Sequence, residues 1–320
     1  MRAFFHTRLR AFVNQPTHRN AWQRRTPYRC GPGVAQALAV CCTVALIAGG
    51  MSVAHATSER LLATGGVTQI EGSGGGGLTP WALITGLETD AQLGYSADCT
   101  YIKPQYFSLW SCGVAAGIHD RVELSFDRQT FGLDDVARGK SIRQDIVAAK
   151  VRLFGDAVYD QDRVWPQMAV GLQYKRNLDF DFVPKLIGAR RADGVDFYLA
   201  ATKVFLAGPF SRTWLIDGTV RASRANQFGI LGFGGDRCGH YRVLGEASLG
   251  VFLTDSLIAG TEYRQKPDNL NAFRENGAYD AFIAWFPVKF ISLTAGYVDL
   301  GTVATHSAEH ALYLAVQGSL

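Results

Sequence analysis

The chain has 320 residues, with 32 lysines and arginines against 28 aspartates and glutamates, a formal charge of +4. That surplus sits in the first 56 residues, where seven arginines stand without an acid; the remainder carries −3. The basic pI is therefore no argument for nucleic acid, and none is expected as a partner.

Residues 1–56 join a long basic stretch to an apolar run, Val34 to Ala48, followed by Ala54-His55-Ala56. Fifteen apolar residues fall short of the roughly 20 that span a bilayer. A basic region, a short apolar core and a small-x-small ending together read as a removable export signal. No later run is long and apolar enough for a membrane helix, so any membrane crossing after export must use strands.

Residues 57–79 form a glycine-rich lead-in containing "EGSGGGG". A phosphate loop would need a strand before it, Lys-Ser/Thr at its end and a helix after it. Here Leu78-Thr79-Pro80 follows instead, so the run is read as a flexible periplasmic approach to the first strand, able to enter a lumen.

From residue 80 to 320 one pattern recurs: about ten residues of period-two alternation, then a turn. In "GVDFYLAATKVFL", Val195, Phe197 and Leu199 oppose Asp196, Tyr198 and Thr202; in "TWLIDGTVRAS", Ile216 and Val220 oppose Asp217, Thr219 and Arg221. The expected strands are 80–88, 105–118, 121–131, 142–154, 165–176, 194–206, 213–225, 240–252, 256–266, 277–287, 289–298 and 309–320. Short turns such as "GIHDR", "LTDS" and "FPVK" alternate with longer connections, 89–104 among them.

The fold class is thus all-β: a closed antiparallel transmembrane β-barrel of about 12 strands, with short periplasmic turns and longer external loops. A soluble β-sandwich also alternates, but three features favour the barrel. The strands are near the spanning length, and their apolar rows end in aromatics such as Trp81, Trp110, Trp214 and Trp285. The opposite rows carry charge almost to mid-strand, which a sandwich core would not accept unpaired.

With strands placed, "GGVTQIEGSGGGGLTPWALITG" resembles the start of an uncharacterised bacterial family, domain of unknown function 3034. The resemblance implies an outer-membrane barrel over residues 63–320 and supplies no catalytic residues. Outer-membrane lipid and the barrel-assembly machinery are the partners that such a fold implies. The chain ends in "ALYLAVQGSL", without the terminal aromatic usual in barrels.

Polar rows turned inward would bring Arg121, Glu123, Asp127, Lys150, Arg152, Lys175, Asp196, Asp217, Arg221, Arg242, Glu246, Glu262 and Arg264 to a lumen. Such a charged constriction selects small polar or charged solutes, so the first functional reading is a narrow porin-like channel needing no cofactor. The alternative is a non-conducting barrel that is structural or binds a surface partner. An outer-membrane hydrolase comes third. His306-Ser307 are adjacent, which rarely aligns a nucleophile with its base, and strand spacing does not gather His306, Glu309 and His310 on a metal. No catalytic or metal site is expected. Of the exported cysteines, Cys99, Cys112 and Cys238, a Cys99–Cys238 bond between external loops is the expectation, with three free thiols as the alternative.

Overall fold

The computed structural model describes residues 66–87, 91–134, 137, 139–303, 306 and 309–320. The export signal read over residues 1–56 lies outside them. Twelve antiparallel strands close into one barrel. They are β1 (Leu93–Pro104), β2 (Ser108–Ile118), β3 (Val122–Gly132), β4 (Ser141–Phe154), β5 (Gln167–Asn177) and β6 (Asp193–Phe205). The second half comprises β7 (Trp214–Ser223), β8 (Arg242–Thr254), β9 (Leu257–Arg264), β10 (Ala278–Val288), β11 (Ile291–Asp299) and β12 (His310–Ser319). Each strand pairs with its sequence neighbours, and β12 closes on β1 from Ala311 opposite Pro104 to Ser319 opposite Ser96. Closure leaves no edge with unpaired amides, which a bilayer would not tolerate.

Alternation does the sorting. On β3, Leu124 and Phe126 stand outward and exposed, while Glu123, Ser125 and Asp127 point inward and are buried. Outward rows across the wall are mostly apolar, with Trp165, Trp285, Tyr279 and Tyr297 exposed near their ends. This is a lipid-facing belt with aromatic rims. One rim carries tight reversals at 119–121, 255–256 and 289–290; in the first, His119 and Asp120 adopt φ of 54° and 46°. The other rim carries the connections 133–140, 178–192, 224–241, 265–277 and 300–309.

The first strand differs from the sequence expectation. Of the strand expected over 80–88, the described residues 80–87 are not part of the wall, and the stretch 89–104, expected as a long external loop, supplies β1. Consequently the β1–β2 connection is only 105–107, an exception to the long-loop rim. The alternation in 80–88 is incidental: residues 80–86 are buried on every side, and Trp81 is an interior residue, not a girdle residue. β1 was harder to see because its outward row mixes Leu93 and Tyr95 with Ala97, Cys99 and Lys103, while Ile102 turns inward.

Cysteine pairing is also corrected. Cys99 on β1 lies directly opposite Cys112 on β2, and these two form the disulfide, with Cα atoms 4.1 Å apart. Among the described residues, Cys238 is bonded to no other cysteine. Once residue 99 belongs to the wall, its neighbour is fixed by register, and an external-loop partner is out of reach.

Candidate functional site: the filled lumen

The twelve inward rows enclose a lumen, and residues 66–86 fill it; every one of them is buried. Val67–Thr68 pairs with Gly74–Gly75 as a miniature antiparallel ladder, with Glu71 at its tip. The turn closes through the Gln69 amide donating to Ser73 O at 2.9 Å and the Ile70 amide to Gly77 O at 3.0 Å.

The glycines are there for close approach. A Cβ on Gly76 would sit 1.9 Å from Glu262 Oε1, and one on Gly77 would sit 2.8 Å from the Tyr313 hydroxyl. Both are closer than real Cβ contacts, so a side chain at either position would push the Glu262 carboxylate or the Tyr313 hydroxyl out of its present place. The bare backbone then donates. Glu123 accepts from the Gly74 amide at 3.0 Å and the Thr85 amide at 2.9 Å, and Glu262 accepts from the Leu78 amide at 2.6 Å. Thr79 Oγ1 also donates to Glu262, at 2.7 Å, and Trp81 Nε1 donates to Ser248 Oγ at 2.9 Å. Lys150 Nζ binds Glu123 at 2.9 Å and donates to Gly74 O at 2.9 Å.

Glu71 is the centre of the densest charge cluster. Its Oε1 lies 2.5 Å from Lys175 Nζ, and its Oε2 lies 2.8 Å from Arg264 Nη2 and 3.8 Å from Arg221 Nη1. Two wall carboxylates complete the group. Asp196 lies 2.7 Å from Lys175, and Glu246 lies 2.5 Å from Arg221 and 3.3 Å from Arg264. Register explains the convergence: Glu246 faces Arg264 across β8–β9, and Gln173 faces Asp196 across β5–β6. Three cations meet three carboxylates, all nearly fully buried, and only the plug's carboxylate comes from outside the wall. Buried charge is tolerable on these terms alone, paired and hydrogen-bonded.

Of the residues expected at the lumen, Glu123, Asp127, Lys150, Lys175, Asp196, Asp217, Arg221, Glu246, Glu262 and Arg264 are there and buried. Three lie elsewhere. Arg121 is exposed in the 119–121 turn, and Arg242 is exposed at the external start of β8. Arg152 lies at the opposite rim, paired with Asp120 and, at 3.5 Å, with Asp156. The alternation is real at those positions but runs past the rims. Sequence reasoning missed Glu71, Asp98, Asp280 and Tyr313, whose hydroxyl donates to Asp280 at 2.8 Å. Glu71 had a signal: it is the only charged residue between Leu61 and Leu87.

A second stopper closes the external side. In the β7–β8 connection, Asn226–Gly229 makes a short turn in which Gln227 and Phe228 take φ of 46° and 60° and are buried. The Phe228 ring lies 4.3 Å from the Arg264 guanidinium, an additional cation–π contact on the same cluster. Gln227 is gripped by the β9–β10 loop: its amide donates to Glu275 at 3.0 Å, and Lys266 donates to its Oε1 at 3.1 Å. Burial pushes the Glu275 carboxyl up to about 7 and the Lys266 ammonium down to about 8, each against the other's attraction.

Among the described residues no group of three or more His, Cys, Asp or Glu side chains is placed to hold a metal. His306 packs against Tyr106 at 4.3 Å between ring centroids; Ser307 lies outside the described residues.

A family model described as "Protein of unknown function (DUF3034)" matches residues 64–317. No curated protein matches the chain. Among solved structures, a KdgM porin is similar at a TM-score of 0.45 and 8% identity, over 70% of this chain and 99% of that one. A NanC porin gives 0.45 and 10%, over 71% and 100%. Omp33 of Acinetobacter baumannii gives 0.40 and 7%, over 72% and 100%.

Proposed function

The chain belongs to the DUF3034 family, and from that premise we propose that it is an outer-membrane channel for small polar solutes, closed here by its own residues 66–86. The observation that carries this reading is how the plug is held. Its hydrogen bonds and ion pairs to the wall, centred on Glu71, Glu123 and Glu262, are of the kind that water and a polar solute can replace.

On this reading residues 1–56 are an export signal removed on the way to the outer membrane, and lipid meets the outward belt. The barrel-assembly machinery inserts the chain, a small polar solute is its cargo, and it performs no catalysis. The second reading, a non-conducting barrel, is favoured by the two stoppers acting together.

Replacing Gly76 with valine separates them. Its Cβ would displace the Glu262 carboxylate from the hydrogen bonds of Leu78, Thr79 and Ser248, so the plug is expected to lose its seat there. The wild type is expected to be silent or rarely open in planar bilayers, and folded Gly76→Val to conduct. A folded Gly76→Val protein that stays as silent as the wild type even with Phe228 also replaced by glycine would overturn the channel reading in favour of the structural barrel.

A further inference from the structure

The cluster around Glu71 has a charge balance that identifies what the wall is built to receive. Lys175, Arg221 and Arg264 come from β5, β7 and β9; Asp196 and Glu246 come from β6 and β8. Within this ion-paired cluster the wall therefore contributes three positive and two negative charges, all buried. One negative charge is missing, and Glu71 supplies it from the plug.

Geometry narrows the chemistry further. The two oxygens of Glu71 engage different cations, Oε1 with Lys175 at 2.5 Å and Oε2 with Arg264 at 2.8 Å. A single-atom anion such as chloride offers one acceptor where Glu71 offers two, each to a different cation. Phosphate would bring up to about two negative charges, more than the deficit of one. A planar group with one charge and two acceptor oxygens fits both constraints, and fork-shaped donors favour it. Next to it, the wall carboxylate Glu262 accepts from the Leu78 amide and the Thr79 hydroxyl of the plug. The plug thus presents one carboxylate with N–H and O–H donors close by.

We infer that the Lys175–Arg221–Arg264 cradle is a binding site for a small solute bearing one carboxylate, and that Glu71 occupies it as a built-in competitor. This deepens the channel reading and rests on it for passage of the solute, since the solute and the plug cannot hold the cradle together. A carboxylate solute that wins the cradle releases the tip of the plug.

The test uses truncation and chemical rescue. Glu71→Ala removes the CγH2 and carboxylate of the side chain, which is acetate in size and charge. Full-length Glu71→Ala protein in detergent is melted with sodium acetate, with sodium chloride at equal ionic strength, or with neutral acetamide. Acetate is expected to raise its melting temperature saturably, while chloride and acetamide do not, and the wild type, whose cradle Glu71 already fills, gains no such stabilisation from acetate. The rescue is expected to disappear in Glu71→Ala/Lys175→Met. Acetate acting no better than chloride, or rescue surviving the loss of Lys175, would overturn the inference.

If Glu71→Ala does not fold, Ser73→Cys in the otherwise native chain carries the test. Site-resolved thiol labelling at residue 73 should accelerate in acetate relative to chloride; an unchanged rate in saturating acetate overturns the proposal. Neither measurement needs a current. A failure here strikes the cradle, whereas a silent Gly76→Val/Phe228→Gly barrel strikes the channel reading alone.

Discussion

The strands β5 and β7 and the segment 66–86 place charged side chains in the same lumen, yet they arrive by different means. In the wall, Lys175 and Arg221 point inward because strand parity puts every second residue there. In the plug, Glu71 reaches the same point on an irregular glycine-rich turn, with no repeating geometry to aim it. The wall is held by its own ladders and by lipid; the plug is held by what the wall offers it. A wall residue takes its direction from strand parity, whereas a plug residue takes its direction from a particular partner.

The largest expected effect tests that dependence at its centre. Lys175 lies between Glu71 and Asp196, all three fully buried. Lys175→Met leaves two carboxylates without it and should cost about 3–5 kcal/mol, measured by urea unfolding in lipid vesicles. Arg128 on the same barrel pairs with Asp145 at 2.6 Å but is about half exposed. Arg128→Met should cost only about 0.2–1 kcal/mol. Equal costs for the two would mean that the plug does not seat in the lumen.

Next comes the wall's outer face. Leu199 stands outward at mid-strand, opposite Val220 on one side and Val170 on the other. Leu199→Arg should destabilise insertion by roughly 2–4 kcal/mol if it lies near the bilayer midplane. In an empty lumen, arginine at the inward Thr202 would be accepted. In this filled lumen Thr202 Oγ1 accepts from the Ala82 amide at 2.7 Å and donates to Asp217 at 2.6 Å, leaving it no room. Damage from both substitutions is expected, and a harmless Thr202→Arg would mean the plug is absent from that level.

A smaller effect is expected from the Cys99–Cys112 bond, which joins strands already paired over their whole length. A closed loop of this size contributes at most about 3 kcal/mol in the chain-entropy account, and the existing ladder should reduce that. Reduction should lower the melting temperature of the wall without changing thiol labelling at Ser73→Cys. Coupled changes would show that wall and plug are not separable.

The same contrast explains what the sequence made legible. Period-two alternation with apolar residues on one side and charges on the other marked nearly every wall strand within a few residues, because burial and lipid act on that period directly. It failed at β1, where Ala97, Cys99 and Lys103 blur the outward row, and it misled at Trp81, whose ring goes inside. The disulfide followed that error, since Cys99 faces Cys112 only once β1 occupies its true register. Arg221, Glu246, Glu262 and Arg264 were readable from parity. Glu71 was not, because Lys175 and Arg264 lie 104 and 193 residues away and no local period encodes such contacts. Its isolation among uncharged residues was the available clue.

The smallest effect concerns the external stopper, which depends on charge as the plug does but stands outside the spanning strands. Glu275 is buried in the β9–β10 loop and holds the Gln227 amide. Burial raises its carboxyl from 4.5 to about 7, outweighing the attraction of Lys266. The folded loop therefore prefers the protonated acid. Its contribution is fully present below about pH 4.5 and is lost as pH rises through about 7, by at most about 1.4 kcal/mol per pH unit. Lys266, displaced only to about 8, remains largely protonated through that window and adds little to the slope. Hydrogen exchange of residues 265–277, corrected for intrinsic rates, should accordingly slow between pH 7.5 and pH 5, while the barrel's melting temperature stays nearly constant. Glu275→Gln should remove the dependence, because its amide retains an acceptor for the Gln227 N–H without a titrating proton. Faster exchange at pH 5 than at pH 7.5 would show that the ion pair with Lys266, rather than burial, governs this loop.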